Sequence, residues 1–221
     1  MEIPERAGVM VVRECVLFPR SLMPLFIFEP RYRTMLSEAL ETDRMFCLAV
    51  PKPGSTRGSP CEVAGLGLVR ASVLNSNGTS NLVLQGLTRV RLGKAVRYKP
   101  YRQHLIEPLE DDAEESLVVD ALVARVLDLT EARLRIGTKI PLALLRQLAG
   151  GGATEGPVTV KECVEPLRRM TDPGAMADMV ATMLLPDGAK RQIILQAVEV
   201  EERLKHLVRL LSAEVTRAKK A

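Results

Sequence analysis

The side chains of this 221-residue chain best suited to nucleophilic or metal chemistry are few: His104, His206, Cys15, Cys47, Cys61 and Cys163. Nucleophilic catalysis needs a thiol or hydroxyl beside a base, and a metal site needs ligands in a cluster. Here the two histidines are far apart in sequence, the cysteines are scattered and no Cys-x-x-Cys pair occurs. Nucleotide chemistry needs a glycine-rich loop ending in Lys-Ser/Thr. The triple glycine Gly150–Gly152 runs instead into Ala153-Thr154-Glu155, placing an acid where the lysine belongs. These residues predict no catalysis, no metal and no cofactor.

Binding chemistry is better represented. Met23, Phe26, Phe28, Tyr32 and Met35 gather soft and aromatic side chains within a short stretch, and such a surface accepts varied apolar segments. The competing expectation is that they form core, since the chain has only four Phe and three Tyr. Glu29 and Arg31 between them are expected to support a helix start and to pair with a nearby acid rather than grip a ligand. One basic cluster, Arg89, Arg91, Lys94 and Arg97 with Lys99 and Arg102, suits the phosphates of RNA, and strand alternation would put Arg89 and Arg91 on one face. The overall charge dilutes that case: 31 basic against 27 acidic residues give a formal charge of +4. Nucleic acid is therefore the weaker expectation.

With 47% hydrophobic residues the chain is not disordered, and no apolar run approaches the length of a membrane span. The start, Met1-Glu2-Ile3-Pro4-Glu5-Arg6, lacks the basic region of a secretory signal, so reduced, mostly buried thiols and a cytoplasmic location are expected.

The elements that would position these groups differ between the two halves, predicting a β-rich domain over 1–110 and a helical one over 111–221. Gly8–Val12 reads as a first strand and Leu22–Phe28 as a second, in which Pro24 requires an edge or a bend. Pro30 opens a helix carrying Tyr32, Met35, Leu36, Ala39 and Leu40 at helical spacing. Met45–Val50 returns to strand. Leu66–Leu74 and Asn81–Leu87 predict a hairpin with a type I′ turn at Asn77-Gly78, which makes the Asn77-Gly78-Thr79 sequon a turn. A half-solvated strand over Thr88–Leu92 and an extended stretch from Ala95 to Ile106 follow. Leu117, Ala121, Leu122, Val126 and Leu129 mark a helix face, behind acids at 111–115 that suit its N-terminus. Pro141 marks another helix start, and Gly150–Gly152 a flexible break. Asp172 and Pro173 are N-cap and N1 of a helix to Leu185, with a Met176, Met179, Met183 stripe. Pro186-Asp187-Gly188 breaks it. A last helical region, about 189–217, carries an Ala197, Val200, Leu204, Leu207, Leu211 seam that serves a bundle core or self-association.

Val16-Leu17-Phe18-Pro19, followed by Pro24-Leu25-Phe26-Ile27-Phe28-Glu29-Pro30-Arg31-Tyr32, resembles the opening of the N-terminal, substrate-binding domain of the ATP-dependent Lon protease family. Leu87–Leu92 is similar to a later strand of that domain, and Asp178–Ala181, Arg191–Leu195 and Val200–Leu204 to its helical half. The resemblance implies an α+β fold, a PUA-like pseudobarrel followed by a helical bundle. It implies a non-catalytic module that recognises unfolded or apolar polypeptide, as an adaptor or chaperone-like unit, with no ATPase or serine–lysine peptidase module in the chain. Two other readings stay open, an RNA-binding PUA-like module and an assembly domain cut from a longer protease.

Overall fold

The computed structural model describes residues 2–56, 58–111, 116–137 and 159–220. Pro141, Gly150–Gly152 and the acids at 112–115 lie outside them. The chain divides into two compact units, Met1–Glu110 and Asp111–Ala221, sheet-rich and helical respectively, so the fold is α+β.

The first unit holds six strands and one helix. They are β1 (Arg6–Val11), β2 (Leu22–Ile27), α1 (Pro30–Leu40), β3 (Met45–Ala49), β4 (Val63–Leu74), β5 (Ser80–Arg97) and β6 (Arg102–Leu109). The sheet order is β2-β5-β4-β3-β1-β6, and β6 pairs again with β5. Five strands therefore close into a ring, with β2 added outside it. The 18-residue β5 makes closure work. One of its edges takes β4, while the other takes β2 along Ser80–Gln85 and β6 along Arg89–Arg97. Register shifts against both β4 and β6 supply the bends that a ring needs.

Strand alternation then builds two cores. Val9, Cys47, Leu66, Val90, Leu92 and Ile106 come from all five ring strands and fill the lumen. Phe46 and Leu48 face the other way and join Leu82, Leu84, Tyr32, Met35 and Leu36 under α1. Hence β3 is buried on both faces. The segment Val16-Leu17-Phe18 is almost wholly buried. It lies so close to the sheet that a Cβ on Gly65 or Gly86 would come within 2.0 Å of the Leu17 or Phe18 carbonyl oxygen.

The hairpin forms with a different turn. Its loop is Asn75–Thr79, closed by the Gly78 N–H donating to the Asn75 carbonyl at 2.9 Å. Gly78 has φ +77°, whereas Asn77 is not among the positive-φ residues, so one left-handed residue replaces the two of a type I′ turn. Thr88–Leu92 and Ala95–Arg97 are not separate strands but the continuation of β5. The extended stretch 95–106 breaks at residues 98–101, and Glu107-Pro108 falls inside β6.

The second unit contains α2 (Leu117–Arg135), α3 (Val160–Arg168), α4 (Pro173–Leu184), α5 (Gly188–Gln196) and α6 (Val200–Lys220). Ser116, Thr159, Asp172 and Asp187 cap the first four through side-chain oxygens. The buried face of α2 runs through Val119, Val126, Leu127, Leu129, Thr130 and Leu134; Val126 and Leu129 lie on it as expected, while Leu117, 87% exposed, and Ala121, exposed, correct the start of the expected stripe. The last helical region is two helices. Arg203, fully buried, donates to the carbonyls of Ala197 and Val198 at 2.9 Å each and to both oxygens of Asp111 at 3.0 and 2.6 Å. Its guanidinium thus satisfies the carbonyls freed where the helix breaks. Val200, Leu204, Leu207 and Leu211 are core of this unit, as are Met176 and Met183, with Met179 37% exposed.

Candidate functional site

Strand β2 pairs only with β5 among the described residues, so Pro24 lies at an edge. The Gly86 N–H donates to the Ser21 carbonyl. By alternation, odd-numbered residues bond to β5, and Leu22, Pro24 and Phe26 turn their backbone groups to the open edge, where proline's missing N–H costs nothing. Side chains alternate too. Met23 and Leu25 pack partly buried against the core, while Leu22, Phe26 and Phe28 are 50%, 52% and 60% exposed. The two phenyl rings stack with centroids 5.9 Å apart. Phe26 stands opposite Asn81, which stands opposite Val73 of β4, itself exposed. The outer face of this sheet edge thus carries exposed apolar residues on β2 and β4, with Asn81 of β5 between them, where solvated sheet faces are ordinarily polar.

Of the five aromatic and methionine candidates, Phe26 and Phe28 are presented to solvent and Met23 only in part. Tyr32 and Met35 are core, at 4% and 2% exposure. Alternation on α1 turns them toward the sheet, and the Tyr32 hydroxyl exchanges hydrogen bonds with the Val11 backbone at 3.1 and 3.3 Å. They leave the candidate set. Leu22 joins it; its sequence signal was its place two and four residues from Pro24 and Phe26 on an edge strand.

The basic cluster is dispersed. Arg89 is 1% exposed, with its guanidinium carbon 6.0 Å from the Phe18 ring centroid, because the Val16–Phe18 segment covers it. Arg91 pairs with Glu107 at 3.0 Å and Glu62 at 3.5 Å. Arg97 bonds Glu38 at 2.8 Å and lies 4.0 Å from the Tyr101 ring centroid. Tyr101 donates to the same carboxylate at 2.5 Å. The Tyr101 and Arg97 hydrogen bonds hold the Glu38 carboxyl below its ordinary range. Burial, then the bond to Glu38, pushes Tyr101 up to about 12. Lys94 remains exposed. No shared face of Arg89 and Arg91 is available to RNA.

A second concavity, of about 420 Å³, opens beside the start of α1. Arg13, Arg31, Lys99 and Arg102 line it with Tyr98 and Tyr101, over Val9, Val11 and Tyr32, and the described lining contains no carboxylate. Arg31 pairs with Glu29 at 2.7 Å, as expected, and lies over the Tyr32 ring. Sequence reading passed over Arg13, Tyr98 and Tyr101; the run Tyr98-Lys99-Pro100-Tyr101-Arg102, aromatic and cationic around a proline, was the available signal.

None of the four cysteines forms a disulfide, and burial pushes the thiols of Cys47, Cys61 and Cys163 up, away from thiolate reactivity. His104 is buried, with Nδ1 2.9 Å from the Gly93 carbonyl oxygen, and His206 belongs to the other unit. Among the described residues no group of three His, Cys, Asp or Glu could hold a metal ion, and no helix is long and apolar enough to cross a membrane.

Residues 7–213 match the family described as the ATP-dependent protease La (LON) substrate-binding domain, and the chain belongs to that family. It is 25% identical over 97% of its length to a Lon protease of Desulfosudis oleivorans, and 27% identical over 94% to one of Xanthomonas oryzae. It spans 24% and 23% of those proteins, about a quarter of their length. Among solved structures, the N-terminal domain of a Mycobacterium avium complex Lon protease superposes with TM-score 0.66 at 20% identity, covering 94% of this chain and 98% of that one. A Lon N-terminal domain protein from Xanthomonas campestris gives 0.59 at 17% identity, covering 92% and 97%.

Proposed function

We propose that this chain is a non-catalytic polypeptide-binding module that captures exposed apolar segments on the outer face of β2, in the manner of an adaptor or chaperone-like unit. The observation that carries the reading is the stacked, half-exposed Phe26–Phe28 pair, with Leu22 on the same open edge strand and exposed Val73 two strands away. Membership of a family described by substrate binding supports it. Covering each half-exposed ring is worth roughly 1 kcal/mol, so the face suits reversible rather than tight capture.

The test is fluorescence anisotropy with a labelled unfolded polypeptide. The intact chain is expected to bind at concentrations on the order of tens of micromolar, with little loss as salt rises. F26S/F28S is expected to weaken binding by about tenfold or more while keeping a cooperative, modestly lowered melt, since about half of each side chain is already solvated. Unchanged affinity in that variant would sink the reading.

A further inference from the structure

We propose that the cleft beside α1 binds a carboxylate carried by a bound polypeptide, either a free C-terminus or an acidic side chain. It would thereby select among the apolar segments that the β2 face accepts, so the inference rests on that reading of the face. The argument begins with polarity. Arg13 and Lys99 bring cationic N–H donors to the cleft beside Arg31, which bonds Glu29, and Arg102, which lies over the Tyr98 ring, and no described lining residue is a carboxylate. The hydroxyls of Tyr32 and Tyr101 are already engaged with Val11 and Glu38, so these tyrosines serve as walls. A lining whose charged groups are all cationic favours a ligand that is negative and rich in acceptors.

Size and position narrow the class. At about 420 Å³ the cleft falls within the range of small-ligand sites, about 300–1,000 Å³. Single-stranded nucleic acid needs a basic groove that tracks several nucleotides, and Arg97, which could extend the cleft along β5, is paired with Glu38. Position favours polypeptide. Phe28 of the apolar face and Arg31 of the cleft are three residues apart, which places their Cα atoms within about 11 Å. One short segment can therefore lay apolar side chains on β2 and reach the cleft with its charge. Arg31 is held for this by Glu29 on one side and by the Tyr32 ring beneath it.

The experiment uses one labelled apolar decapeptide in three forms: free carboxylate terminus, amidated terminus, and amidated with a single internal Glu. The intact chain is expected to bind at least one charged form about tenfold more tightly than the neutral amide, with that preference shrinking as salt rises. Whichever charged form shows the preference identifies the source of the carboxylate. In R13Q/K99Q, where both replaced side chains are exposed, the preference is expected to vanish while affinity for the neutral amide is unchanged. Equal affinity for all three forms, or a preference that survives R13Q/K99Q, overturns the cleft proposal and leaves the β2 face standing. Binding of a charged form that F26S/F28S does not weaken overturns the face and leaves the cleft. No binding of any form overturns both. A single-stranded oligonucleotide that displaces the charged peptide, and itself loses affinity in R13Q/K99Q, overturns the assignment to polypeptide.

Discussion

Gly86 has no room for a methyl group, because the carbonyl of Phe18 occupies the place where its Cβ would stand. G86A must push the Val16–Phe18 segment off the sheet, which also uncovers Arg89. A loss of about 3 kcal/mol is expected in urea denaturation, at the upper end of overpacking costs. The Glu38–Tyr101–Arg97 cluster makes stability depend on pH in both directions. Glu38 titrates lower in the folded state than its ordinary 4.5, so its contribution is complete above that value and is lost as the pH falls through the folded pKa. Tyr101 titrates higher folded than its ordinary 10, so its contribution is complete below 10 and is lost as the pH rises toward about 12. E38Q is expected to flatten the acid limb of a stability–pH profile, and Y101F the alkaline limb. At this scale the sequence was legible where a residue acts on its own backbone or on the next turn: Pro24 announced an edge, Pro30 and Pro173 helix starts, Asp172 a cap. Arg89 was not legible. Its burial depends on a segment some seventy residues away folding over it, and local alternation says nothing of that.

Elements follow the same division. α4 could be read almost to the residue because proline, cap and apolar spacing agree. α2 was displaced in its buried face, since Leu117 and Val119 both fit helical periodicity and only packing decides between them. α3 was passed over although Thr159-Val160-Lys161-Glu162 spells a capping box, one that the structure forms. The length of β5 was the hardest feature to read, because a strand that bends through bulges looks in sequence like several short ones. Of the candidate site, Pro24 marked the edge strand and Phe26 and Phe28 stood among five candidates whose exposure the sequence left open, whereas the cationic cleft draws on four segments and has no local pattern. The cap of α2 offers a clean check. Ser116 accepts from the Val119 N–H at 3.1 Å, and S116A is expected to cost about 1 kcal/mol of the helical unit's stability by chemical denaturation.

For the molecule as a whole, the two units each have a core of their own, and every recorded strand pairing lies within Met1–Glu110. A chain of that length with a closed sheet and two apolar clusters meets the usual requirements of an independent domain. Residues 1–110 expressed alone are therefore expected to show sheet-type circular dichroism and one cooperative melt. A molten, non-cooperative product would mean that the sheet unit depends on the helical one.

Ring closure has a consequence for the molecule's own safety. Five strands are sealed side to side, and the sixth offers a six-residue edge in which Pro24 leaves a gap between the N–H groups of Leu22 and Phe26. A client chain laid along that edge cannot zip up as a continuous ladder, so it is held by side chains and lets go easily. For the same reason, the surface proposed to handle sticky chains is a poor seed for growing fibrils.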